Sequence, residues 1–495
     1  MVSIRPLVFW FIVGSQHLYG EGAIEQVREH ARQMVAGLSA EGNLPYELKL
    51  KDVVTTADEI SNICLRANTD AQCGGVIAWM HTFSPAKMWI AGLARLQKPL
   101  LHLNTQFNRD IPWESIDMDF MNLNQSAHGD REFGFIATRM AVPRKVIVGH
   151  WQDPSVQERL CRWMNVAAAV TEGQHVKIAR FGDNMRNVAV TEGDKVAAQI
   201  QLGWTVDGFG LGDLAERVAD VSEADVNRLV DRYRESYEFS EGNDLAHAMQ
   251  AAQGQARIEL GLREFLSAGG YNALTTTFED LHGLPQLPGL AIQRLMAEGY
   301  GFGAEGDWKT AGLLRTMKVM ANLQGTSFME DYTYHLEPNQ ELVLGAHMLE
   351  VCPSIAVTRP KLLAHPLGIG GKSDPARLVF DGRAGSALVA SLVDLGNRFR
   401  LIVNEVMAVD APQPMPNLPV ARVLWKPEPS FEVSAESWIY AGGAHHTVFS
   451  YNVSSEQLSD WAHEVGVEFV LIDRATSVRH LRMELSLNDL VAKLR

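Results

Sequence analysis

At 495 residues the chain is too long for one hydrophobic core and should divide into two to four domains. Its 46% apolar and 21% charged residues describe an ordinary globular protein. The 44 basic against 59 acidic residues leave a net charge of −15, which argues against a nucleic-acid binder, because that function needs a basic face to neutralise phosphate.

The N-terminal region alternates short apolar runs with amphipathic patterns. Residues 7–13 read as a buried strand rather than an export signal, since Gly14-Ser15-Gln16-His17 follows where a small-residue cleavage site would be needed. A helix is expected over 23–38, a strand over 47–54, a helix over 57–67 and a strand over 75–79. Ser84-Pro85 should open a helix running to residue 96, and residues 100–104 read as a fourth strand. Strand–helix alternation of this kind gives a parallel sheet covered on both faces. Ligands of such sheets bind beyond the carboxyl ends of the strands, where Gln16, His17 and His81 fall. These three could equally be polar turn residues.

A second alternating region runs from about residue 176 to 320, with a polar surface helix over 222–239. From about residue 340 the texture changes to short β-rich runs at 341–344, 376–380, 386–395, 399–409, 420–425 and 469–472, separated by Gly- and Pro-rich turns. A short closing helix is expected over 486–493. The fold class that follows is α/β: two N-terminal parallel-sheet, flavodoxin-like domains and then a β-rich antiparallel, barrel-like domain, with boundaries at 1–172, 173–323 and 324–495. No apolar stretch approaches the ~20 residues needed to cross a bilayer, so no membrane association is expected. Cys64, Cys73, Cys161 and Cys352 form no C-x-x-C pair and suit a reducing cytoplasm.

Two glycine-rich strings invite nucleotide readings. Gly301-Phe302-Gly303-Ala304-Glu305-Gly306 satisfies G-x-G-x-x-G, but residues 290–299 before it have helical apolar spacing, whereas a dinucleotide site needs a preceding strand. Gly368-Ile369-Gly370-Gly371-Lys372 lacks P-loop spacing and reads as a turn. No nucleotide cofactor is expected.

Four residues carry metal-binding chemistry: Glu305, Glu330, His347 and His446. Two carboxylates and two imidazoles suit Mn2+, with Co2+ or Mg2+ as alternatives. Their gaps of 25, 17 and 99 residues match no compact metal signature, and by spacing alone solvated glutamates and structural histidines are equally good readings.

The strings GSQHLYG (14–20), HTFSPAKMWI (81–90), MDFMNLNQSAHG (118–129), RFGDNMR (180–186), TTTFEDLHG (275–283), GAEGDWKT (303–310), SFMEDYTYH (327–335) and GGAHHTVFS (442–450) together resemble L-arabinose isomerases, from about residue 8 to the last strand. The resemblance implies a cytoplasmic metal-dependent enzyme converting L-arabinose to L-ribulose through a cis-enediol, with slower conversion of D-galactose to D-tagatose. It implies Glu305, Glu330, His347 and His446 as metal ligands, with Glu305 and Glu330 also the catalytic acid/base pair. Gln16, Leu18, Gln125, His128, Met185, Phe278, Ile369 and His445 would surround the sugar. It further implies a homohexamer in which Gln125 and His128 reach the site of a neighbouring subunit. On residues alone, Met185 and Phe278 are ordinary core residues, Gln125 and His128 loop caps, and His445 a strand residue turned away from the metal. An L-fucose isomerase-like enzyme, a metal-dependent hydrolase and a sugar-binding protein are the rival readings. The last of these predicts an export signal and no metal set.

Overall fold

The computed structural model of the protein describes residues 2–42, 44–239, 244–368 and 371–494. The backbone divides into two compact units, Ile4–Glu172, and Gly173–Arg495 together with Met1–Ser3.

In the first unit, β1 (Val8–Gly14), β2 (Glu47–Val54), β3 (Cys73–Met80), β4 (Leu100–Asn104) and β5 (Lys145–Val148) form one parallel sheet in the order β2-β1-β3-β4-β5. That is the flavodoxin-like doubly wound order. All eight residues of β3 are buried, as a central strand covered on both faces requires. The helix Gly20–Ser39 buries Ile24, Val27, Ala31, Met34 and Leu38 at the three-and-four spacing of one apolar face. The helix expected from Ser84-Pro85 to residue 96 is instead a 3-10 turn, Ala86–Trp89, followed by one short turn of helix, Ile90–Leu93. There the buried Trp89 indole donates back to Ser84 Oγ (3.0 Å), so the segment folds onto its own start instead of extending.

In the second unit, β6 (Lys177–Phe181), β7 (Thr205–Phe209), β9 (Ala273–Thr276) and β10 (Gly301–Ala304) form a parallel sheet in the order β10-β9-β6-β7. The G-x-G-x-x-G string is therefore not a loop after a helix: its first four residues are the strand β10 itself. A Cβ on Gly303 would lie 2.2 Å from the Asp307 carbonyl oxygen, so its glycine serves the close approach of the next helix rather than a pyrophosphate. That helix, Trp308–Met320, is buried at every position. Its charged residues are satisfied inside the protein, Lys318 by the Thr326 carbonyl (2.9 Å) and Arg315 by the Gly299 carbonyl (2.9 Å).

The β-rich region begins earlier than the composition suggests, at β11 (Thr326–His335). Its first four residues are buried on both faces and its last four exposed, so no period-two pattern marks it as a strand. With β12 (Leu342–Ala346), β15 (Gly385–Asp394), β16 (Phe399–Val409), β17 (Arg422–Pro427) and β18 (His446–Ser450) it runs β15-β18-β11-β12-β17-β16, and β16 pairs again with β15 to close a six-stranded antiparallel barrel. A further strand, β19 (Glu468–Ile472), adds in parallel to β16. The short β8 (Glu238–Phe239), β13 (Lys361–Ala364) and β14 (Ala376–Val379) make a separate three-stranded sheet. Helices Phe431–Ala441 and Ser455–Val465 interrupt the β-rich stretch, and the closing helix is longer than expected, Val478–Leu494. The helix Trp308–Met320 packs against β9 and β10 on one side and β11, β15 and β18 on the other, which brings its N-terminal turn to the barrel.

Candidate metal centre

Antiparallel register closes the long gaps between the four candidate ligands. Glu330 lies in β11 opposite His446 on β18 and opposite Ala346 on β12, and His347 is the next residue after Ala346. Directly opposed residues share a sheet face, so Glu330 and His446 point the same way although 116 residues separate them. Glu305 comes from the other sheet, in the turn between β10 and the buried helix.

That turn is strained. Glu305 takes a left-handed backbone conformation (φ 60°), held by hydrogen bonds from the Met185 N–H to its carbonyl (2.9 Å) and from the Gly306 N–H to the Thr276 carbonyl (3.2 Å). Such a conformation costs a non-glycine residue roughly 1–3 kcal/mol and persists only where its surroundings enforce it.

Glu305, His347 and His446 each offer a ligand atom, all within 4.8 Å of one another, the one such metal-capable group among the described residues. His446 Nε2 lies 3.8 Å from Glu305 Oε2, and His347 Nε2 lies 3.9 Å from Glu330 Oε2. Those separations are too long for hydrogen bonds, so two imidazoles and two carboxylates converge without pairing with each other. The His347 and His446 side chains are 9% and 1% exposed against 20% and 21% for Glu330 and Glu305, which puts the open side of the cluster at the carboxylates. Phe328, fully buried, stands edge-on to both imidazoles (4.9 and 5.4 Å between centroids) and fills the space behind them.

Behind each histidine stands a carboxylate that sequence reasoning missed. His347 Nδ1 donates to Glu350 Oε2 (2.6 Å), and His446 Nδ1 faces Asp307 Oδ2 at 3.5 Å, the outer limit of a hydrogen bond. Asp307 caps the helix Trp308–Met320, accepts from Thr310 Oγ1 (2.7 Å) and pairs with buried Lys309 (3.0 Å). Burial alone would raise its carboxyl; Lys309, His446 and Thr310 outweigh burial and hold it well below the usual range. Burial raises Glu330, reinforced by the charges of Glu305 and Glu350 and opposed by His347 and His446. For His347, burial favours the neutral ring, but the surrounding carboxylates, Glu350 first, raise it. The spacing His347-x-x-Glu350 and the position of Asp307 two residues after Glu305 were the available signals.

The remaining candidates fall in two places. Met185 is tied to the Glu305 carbonyl, and Phe278 lines a small cavity with Glu305, His347, Leu349 and Glu350. The His445 ring lies 4.3 Å from that of His446, and burial lowers its pKa to about 4. Ile369 lies outside the described residues. Gln16, Leu18, Gln125 and His128 belong to the other unit. There buried Gln125 donates to Tyr19 Oη (2.9 Å), joining the turn that carries Gln16 and Leu18 to the loop before His128. Leu18 and His128 are exposed, and the His128 ring stacks on Phe83 (5.2 Å).

Residues 3–175 match the L-arabinose isomerase N-terminal domain, 177–323 the L-arabinose isomerase central domain and 325–468 the L-arabinose isomerase C-terminal domain. The chain is 64% identical over 490 residues to the L-arabinose isomerases of Geobacillus stearothermophilus and Geobacillus thermodenitrificans (strain NG80-2), covering 99% of each chain. To the L-arabinose isomerase of Bacillus subtilis (strain 168) it is 56% identical over 496 aligned residues, covering both chains in full. Matched in this way from end to end, the chain belongs to the L-arabinose isomerase family.

Proposed function

We propose that this protein is a cytoplasmic, metal-dependent aldose–ketose isomerase that converts L-arabinose to L-ribulose through a cis-enediol, with D-galactose a slower substrate. The observation that carries the reading is the convergence of Glu305, Glu330, His347 and His446 without mutual hydrogen bonds. Facing nitrogen and oxygen atoms too far apart to bond one another fit a shared cation, and this donor set fits Mn2+ or a similar divalent ion. Glu305, Glu330, His347 and His446 would hold it. A bound divalent cation would supply positive charge beside the oxygens of an open-chain sugar, lowering the cost of the enediolate.

The chain's own groups then divide the proton work. One carboxylate of the Glu305/Glu330 pair takes the proton from C2 of the sugar and returns it to C1; the other moves a proton between O2 and O1. Burial raises the Glu330 carboxyl, the direction that strengthens it as a base. Met185, Phe278, Ile369 and His445 would border the sugar. Gln16 and Leu18 would also border the sugar, and Gln125 and His128 would contact it from a neighbouring subunit of a homohexamer. We read the chain as three modules, 1–172, 173–323 and 324–495.

The test strips the protein with a chelator, restores Mn2+ and incubates it with L-arabinose, D-galactose and L-fucose in turn. The expected result is a ketose of unchanged mass from L-arabinose only with Mn2+, and slower conversion of D-galactose. Full activity in metal-free protein would overturn the mechanism, and faster turnover of L-fucose than of L-arabinose would overturn the substrate.

A further inference from the structure

We propose that Glu350 is a positioning residue of the metal centre, fixing the tautomer and ring orientation of His347 so that its Nε2 faces the ion. The inference rests on the metal-dependent reading above and assigns a role to a side chain outside the ligand set.

The two histidines are held unequally. His347 Nδ1 lies 2.6 Å from Glu350 Oε2, and both side chains are 9% exposed. A neutral imidazole carries one N–H, so a carboxylate acceptor at Nδ1 places the proton there and leaves the Nε2 lone pair free. That Nε2 is the atom 3.9 Å from Glu330. His446 has no such anchor: its Nδ1 is buried, with only the longer 3.5 Å approach of Asp307, and its ring is fixed by its place in β18 and by Phe328. His347 follows the end of β12 in an irregular turn and has no strand to orient it.

Glu350 has no other hydrogen bond among the described residues. A buried carboxylate is expensive, and a Met or Gln would fill the same space at lower cost if packing were its purpose. Arg377 supplies compensating positive charge. Its guanidinium is anchored on the Met348 and His365 carbonyls (3.1 and 2.6 Å), and burial lowers its pKa to about 10 against the opposing charges of Glu350 and Asp374. Carboxylates behind metal-bound histidines raise the basicity of the ligand and hold the ring, and losing one usually weakens metal affinity about 10–100-fold.

The experiment titrates Mn2+ calorimetrically into metal-stripped wild type, Glu350→Gln and Glu350→Ala, and records the visible absorption of the Co2+-loaded forms and the Tm of the metal-free forms. The expected order of affinity is wild type, then Gln, whose amide oxygen can still accept from Nδ1–H, then Ala, about 10–100-fold weaker than wild type. The Co2+ band should shift in Glu350→Ala. A packing role alone would lower the metal-free Tm without moving either the affinity or the band, and that result overturns the proposal. If Glu350→Ala does not fold, Glu350→Gln decides, and wild-type affinity together with an unshifted band overturns the proposal. A wild type that binds no Mn2+ would instead overturn the metal-dependent reading itself.

Discussion

Gly306 is the position where one added methyl group should disable the site. It follows Glu305 in the strained turn, has φ +83°, and a Cβ there would lie 2.5 Å from Asn184 Cα and 2.7 Å from the Asp183 carbonyl oxygen. Both are backbone atoms, and Asn184 cannot yield easily: its amide donates to the Thr191 (2.6 Å) and Gly306 (3.2 Å) carbonyls, and its oxygen accepts from Arg180 (2.7 Å). The left-handed conformation costs alanine about 1–2 kcal/mol, and overpacking adds about 1–3 kcal/mol, so Gly306→Ala should cost about 2–5 kcal/mol. The turn can relieve the clash only by moving Glu305. A displacement near 1 Å would cut turnover about 10²-fold and weaken Mn2+ binding. Gly466 is the control: it is also left-handed (φ +69°), caps the helix Ser455–Val465, and has no atom closer than 3.8 Å to its would-be Cβ. Gly466→Ala should lose about 1–2 kcal/mol and nothing else. The assay compares ketose formation from L-arabinose, Mn2+ affinity and metal-free Tm for both variants. If Gly306→Ala keeps activity and affinity within twofold of Gly466→Ala, the turn does not position Glu305 and the argument fails.

Replacing Glu330 by Gln should lower turnover by at least about 10²-fold while the fold survives, since the change is confined to one side chain; near-normal turnover would remove Glu330 from the acid/base pair. Glu464 gives a pH test away from the site. Burial, with Asp460 nearby, raises its carboxyl from 4.5 to about 7, so the folded state binds the extra proton between those values. Its contribution to stability is full below pH 4.5 and is lost as pH rises through 7. Glu464→Gln should therefore stabilise by about 1–3 kcal/mol at pH 8, after allowance for partial exposure, and add little at pH 4.5; an equal Tm change at both would contradict it. For the shared site, inactive His128→Ala and inactive Glu330→Gln proteins are mixed under conditions of proven subunit exchange. Partial activity should return, because some interfaces then pair an intact His128 with an intact Glu330, and a mixture that stays inactive refutes the composite arrangement.

How far the sequence could carry the reading depends on the range of the interaction that fixes each feature. The central strands of the first unit were legible because fully buried parallel strands such as residues 73–80 show as continuous apolar runs between helical patterns, whereas the short edge strand β5, buried only at Ile147, was missed. β11 was not: its buried half and its exposed half average into no period, and only its pairing with β12 and β18 makes it a strand. The string at 301–306 could be set aside only on its context, since glycines required by the packing of a neighbouring helix look the same in one dimension as glycines required by a phosphate, and that it is itself a strand was not legible.

The centre itself shows the same limit more sharply. Residue type nominated Glu305, Glu330, His347 and His446, and family resemblance selected them, but neither could explain why residues so far apart in the chain meet. For the three from the barrel the explanation is a register: Glu330 opposite His446, and Ala346, just before His347, opposite Glu330 on the other side. Glu350 and Asp307 escaped because a supporting carboxylate has no chemistry of its own to advertise; its role exists only in the 2.6 Å and 3.5 Å distances to rings that the fold has already placed. The outer groups are thus the less legible half of the site and the half that decides its precision. A barrel could present the same four ligands with free rings, yet those rings would then lose orientational entropy each time an ion bound. Glu350 on His347, and the place of His446 in β18 against Phe328, meet that cost during folding, before any ion or sugar arrives.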